Sequence, residues 1–217
     1  MVSLARLNGH LDFIGRFYDA ATQPFETTKR KIEAREEPFV PNSALDDCGH
    51  EPYEIEWMEA DDCLCVLGNC ALGLVEKGLH DYLREFVERR GGRKLKKKGA
   101  SWFDCYCHFL EEHTTFSWTN SPVSRDQIEQ INLSRNDISH HPVIDRIQPR
   151  QTDYHFGRYP TSRFAAEWEI KVISGKKGTP EFPSILDITR EKLTAAIADV
   201  RQFCAFVEAQ RKGKTAK

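Results

Sequence analysis

The sequence predicts a mainly all-α fold: a bundle of four or five principal helices with a small β-hairpin before the last one. Three observations carry that expectation. Apolar residues recur at spacings of three and four along most of the 217 residues, and Gly, Pro and Asn clusters interrupt them at only a few places. Two short runs, 166–173 and 182–188, read as strands instead. The length suits a single domain over 1–217 with a real hydrophobic core.

Leu4, Leu7, Leu11, Ile14, Tyr18 and Ala21 define the first amphipathic helix, and Phe13 and Phe17 widen its stripe. Pro24 is expected to kink or end it before a charged helical segment at 26–37. Pro38, Pro41, Asn42, Gly49 and Pro52 mark a loop. The pattern from 54 to 90 is helical again, with a break expected near Gly68, Gly73 or Gly78, and Gly91-Gly92 stops it. Trp102, Phe103, Tyr106, Phe109 and Leu110 give a shorter aromatic helix. Ser124 with Gln127 reads as a capping box that opens the next helix, whose buried stripe is Ile128, Ile131 and Ile138. Pro142 disfavours helical geometry at His141, so this helix should end close to His140. An irregular excursion follows from 142. Residues 166–173 and 182–188 read as two strands around Gly175-Lys176-Lys177-Gly178. Leu193, Ile197, Val200, Cys204 and Val207 close the chain as a strong helix, ahead of a frayed tail at 212–217.

A net charge of −2 excludes an overall basic coat for nucleic acid but leaves room for a local phosphate site. Seven cysteines, the lack of a basic and apolar leader, and the lack of an apolar run of about 18 residues point to a soluble cytoplasmic protein with reduced thiols and no membrane partner.

The informative motif is Arg135-Asn136-Asp137-Ile138-Ser139-His140, at the end of the Ile128 helix. With 17 Arg and 8 His, roughly 0.6 Arg-(four residues)-His matches are expected by chance, and requiring Asn after Arg lowers this to roughly 0.02. A second match, Arg150 to His155, follows Pro149 outside any helical pattern. An imidazole and a guanidinium suffice to cleave RNA: one moves a proton at the ribose 2′-hydroxyl, the other binds the phosphate as charge builds. Asn136 and His140 are four apart on one helix face, so the amide is placed to orient the imidazole. Arg135 and His140 differ by about 140° around a helix, which favours pooling side chains from two copies. The same two cations also complement a helix C-terminus, worth about 0.3–1 kcal/mol, so removing either should leave the fold intact.

The motif resembles the Arg-Asn-(three residues)-His signature of the HEPN superfamily. The resemblance implies a HEPN-like helical bundle, a site built at a homodimer interface, and 2′-hydroxyl attack giving a 2′,3′-cyclic phosphate and a 5′-hydroxyl without metal or cofactor. It assigns Arg135 to transition-state stabilisation, His140 to proton transfer and Asn136 to positioning, in a toxin or antiviral effector with a possible antitoxin or regulatory partner. HEPN toxins silenced by AMP modification carry a Tyr two residues after the motif His; here Pro142 stands there. The alternative is a non-catalytic HEPN-like module that scaffolds a partner or senses a nucleotide. The β-hairpin has no counterpart in the resemblance.

Auxiliary candidates are His141, as a helper to His140 or a solvated cap, and Asp137, four residues before His141, as its charge partner or a solvated carboxylate. Arg93, Lys94, Lys96, Lys97 and Lys98 form an interhelical run able to hold RNA phosphates through charge. Trp102 and Trp118 are candidates for base stacking or for core packing. The pairs Cys63/Cys65 and Cys105/Cys107, with His108 and His113, suggest zinc only superficially. Residues two apart on a helix diverge by about 200°, so buried free thiols are expected.

Overall fold

The computed structural model describes residues 3–41, 51–92, 101–139, 148–174 and 182–210. His140, His141, the basic run 93–98, the hairpin turn 175–178 and the tail 212–217 lie outside the described residues. Seven α-helices are described: α1 (Leu4–Glu33), α2 (Glu54–Glu88), α3 (Trp102–His113), α4 (Arg125–Ser139), α5 (Asp153–Arg158), α6 (Glu167–Ser174) and α7 (Arg190–Ala209). None of them is long and apolar enough to cross a membrane.

The two long helices α1 and α2 pack against each other along their lengths. α7 lies against both, and α4 packs on α2 and α7. The predicted stripe of α1 is the buried one: Leu7, Leu11, Ile14 and Tyr18 meet Leu72, Val75, Leu79 and Leu83 of α2 and Leu193, Val200 and Phe203 of α7 in one core. At about 25 cal/mol per Å² of apolar area, this burial is the main term holding the bundle. Trp118 stacks on Phe203 at 5.3 Å, and Phe116 meets both edge-on, so Trp118 serves packing.

α1 continues through Pro24. The proline forfeits one backbone bond, but contacts on its far side hold the helix to α2. Lys29 Nζ sits 2.5 Å from Asp61 and over the Trp57 ring, while Trp57 donates to Glu33 at 2.9 Å. α2 is likewise unbroken across its glycines. A Cβ at Gly68 would sit 2.5 Å from the Ile188 carbonyl oxygen, and one at Gly78 3.1 Å from His10. These glycines admit close neighbours rather than ending a helix.

α3 opens with a capping box between Ser101 and Asp104. Ahead of α4 the expected box is formed: Gln127 N–H donates to Ser124 Oγ at 3.2 Å and Ser124 N–H to Gln127 Oε1 at 2.9 Å. The expected hairpin is not present among the described residues. Residues 167–174 are α6, and 182–188 make only isolated bridges, Arg150 with Ile185 and Ala165 with Leu186. The run 166–173 read as a strand. However, Trp168 is 60% exposed, and Glu169 accepts the Ile185 N–H at 2.7 Å, so a side chain stands where a ladder partner was expected. Within the expected excursion, the described residues form α5 behind a Thr152 cap.

Candidate functional site

The described part of the motif, Arg135 to Ser139, lies near the C-terminal end of α4, and the interior around it is polar. Arg135 Nε reaches 3.4 Å from Glu76 of α2, whose side chain is only 3% exposed against 37% for the arginine. Arg135 Nη1 donates to Asn136 Oδ1 at 3.1 Å. Burial pushes the Glu76 carboxyl above its ordinary value, and the Arg135 charge is the largest influence opposing that rise. Arg135 is therefore more than a solvated cation on a helix dipole: it neutralises a buried carboxylate.

Asp137 also differs from the expectation of a partner for His141. It is 1% exposed and turned inward. One oxygen accepts from Thr152 N–H at 3.1 Å and Thr152 Oγ1 at 2.8 Å; the other lies 2.5 Å from His155 Nδ1. His155 is completely buried, and its Nε2 has no partner. Two turns earlier, Glu129 binds Arg158 at 2.9 Å and the Tyr159 hydroxyl at 3.0 Å. Two buried carboxylates on α4 thus fasten α5 to it. The second Arg-(four)-His match splits up: Arg150 binds Glu169 and the Pro183 carbonyl oxygen, while His155 belongs to Asp137.

The sequence reading missed Glu76 and His80. They stand four apart on α2, so their side chains share a face. The signal was an acid and an imidazole one turn apart within an apolar helix. The His80 ring packs 4.5 Å from Trp102 and 5.8 Å from Tyr106, both on α3. Burial lowers its pKa below the usual imidazole value; Arg84, Lys77 and Arg135 lower it further, and Asp81 opposes them. Trp102 thus has one face against an imidazole beside the motif.

On α3, Cys105 and Cys107 are buried, and burial raises the Cys107 thiol far out of the reactive range. A cleft of about 500 Å³ opens elsewhere, between α1, α2 and the start of α7, with Trp57, Trp168, Glu26, Asp61, Asp187 and Glu191 in its walls. It holds no motif residue, and its four carboxylates make it a poor seat for RNA phosphates. No family model, curated protein or solved structure matches the chain.

Proposed function

We propose that the protein is a metal-independent endoribonuclease of HEPN type, working as a homodimer and acting as a toxin or antiviral effector. The observation that carries this reading is the placement of Arg135: a guanidinium fixed by buried Glu76 and by Asn136, still 37% exposed, five residues ahead of His140. A guanidinium held in advance needs little reorganisation when a phosphate gathers charge.

In the reaction, the ribose 2′-oxygen forms a bond to the adjacent phosphorus, and the bond from phosphorus to the 5′-oxygen breaks. The 2′-hydroxyl loses a proton to a base, and the departing 5′-oxygen gains one from an acid. Arg135 stabilises the phosphorane-like transition state, Asn136 steadies the arginine and is placed one turn before His140, and His140 transfers a proton. The basic run 93–98 supplies phosphate contacts.

RNA cleavage assays with and without EDTA, on the wild type, Arg135→Ala and His140→Ala, test the reading. Cyclic phosphate ends, indifference to EDTA and loss of cleavage in both variants are expected. A wild type that leaves diverse RNAs uncut points instead to the binding module, and full activity in His140→Ala refutes the assignment of roles.

A further inference from the structure

Cleavage by 2′-hydroxyl attack needs two proton transfers on opposite sides of the phosphorus, and each chain's motif supplies one imidazole. We propose that His80 is the second proton-transfer group, the general base that takes the 2′-hydroxyl proton, supplied by the same chain as Arg135. The proposal rests on the ribonuclease reading above.

The geometry begins with Glu76, which holds Arg135 at 3.4 Å and lies one helical turn before His80 on the same face of α2. Neighbouring side chains on that face are about 5–6 Å apart at Cβ, the scale of a phosphodiester group. The start of α4 is tied to the helix that covers His80. There Arg125 lies 2.5 Å from Asp104, in the first turn of α3, and that same turn of α3 places Trp102 on His80. Further along, Arg135 meets Glu76. A phosphate on the exposed part of the guanidinium would lie beside the face of α2 that carries His80.

The surroundings of His80 suit a base. Among the described residues, neither ring nitrogen has a hydrogen-bond partner, and the ring is held from one side by Trp102 and Tyr106. The charged groups around it are Glu76, Lys77, Asp81 and Arg84 from α2 and Arg135 from α4; Lys77 and Arg84 are both engaged by Asp81. Burial, with the neighbouring cations, lowers its pKa and so favours the neutral imidazole, the form that accepts a proton.

The test compares two substrates: an RNA, and a nucleoside 3′-(4-nitrophenyl phosphate) whose leaving group departs without a proton. His80→Phe keeps a ring against Trp102, and His80→Gln, a second variant, covers a failure of the first to fold; circular dichroism checks both. The expected result is a fall in kcat of about 10²–10⁴-fold on both substrates with KM little changed, together with loss of the rise in rate on the acid side of the pH profile. His140→Ala, by contrast, should lose far more on RNA than on the aryl ester. A folded His80 variant that keeps the wild-type kcat and pH profile overturns the role of His80 and leaves the ribonuclease reading standing. A wild type inert on both substrates overturns that reading, and the role of His80 with it.

Discussion

Removing the guanidinium of Arg135 should destabilise the fold by more than a surface charge does, and by an amount that depends on pH. Breaking a fully buried ion pair costs about 3–5 kcal/mol because the surviving charge is stranded, whereas exposed pairs contribute about 0–1 kcal/mol. Glu76 is 3% exposed and Arg135 37%, so water screens one partner only, and Arg135→Ala is expected to cost about 1–3 kcal/mol at pH 7. The pH dependence follows from Glu76. Its pKa is raised on folding, so the folded state binds that proton more tightly than the unfolded chain. Its stabilising effect is full below the unfolded value of ~4.3 and is lost as pH rises through the folded value. Without Arg135 the folded value climbs further, and the loss extends to higher pH. Urea denaturation of the wild type, Arg135→Ala, Glu76→Gln and the double variant, at pH 5 and pH 7, measures this. The Arg135→Ala penalty should shrink at pH 5 and in the Glu76→Gln background, with a coupling of about 1–2 kcal/mol. A penalty independent of pH, or strictly additive variants, would refute a stranded carboxylate as the cause.

Asp137→Ala should cost about 3–5 kcal/mol, because it leaves the buried His155 and two Thr152 donors without their acceptor; a urea midpoint close to wild type would show that the α4–α5 clasp is dispensable. Gly68→Ala drives a methyl group against the Ile188 carbonyl oxygen and should lower the thermal midpoint by several degrees, at about 2–4 °C per kcal/mol for a chain of this size; an unchanged midpoint contradicts the close approach. Replacing Arg93, Lys94, Lys96 and Lys97 with Gln should raise KM and flatten the salt dependence while kcat holds, and an unchanged salt slope marks the run as a plain solvated loop. Light scattering at concentrations where RNA is cut should show a dimer; a strict monomer rules out pooling of motif residues from two chains.

What could be read from the sequence was local. The stripe from Leu7 to Tyr18, the Ser124–Gln127 box and the closing helix through Val207 depend on neighbours within a few turns, and they stand where the periodicity put them. Misreadings arose where distant residues decide. Pro24 does not end α1 because Trp57 and Asp61 hold the segment beyond it. Gly68 and Gly78 looked like breaks, yet each marks a neighbouring element passing close to α2. The expected 166–173 strand gave way to a helix whose Glu169 caps Ile185. At the candidate site, Arg135 and Asn136 were singled out by their motif, but Glu76 lies 59 positions before Arg135 and no local pattern tied it to the arginine. Asp137 is tied to His155 by a fold in the chain that no local pattern announces.

The contact between His80 and Trp102 gives the protein an optical reporter of its own. A protonated imidazole against an indole face quenches the indole's fluorescence, and a neutral one does so far less. With the rings 4.5 Å apart, Trp102 emission should brighten as His80 loses its proton. Because the chain has four Trp residues, the signal is the difference between the wild type and Trp102→Phe. That difference spectrum makes the ionisation of one side chain visible in solution, without label, substrate or turnover.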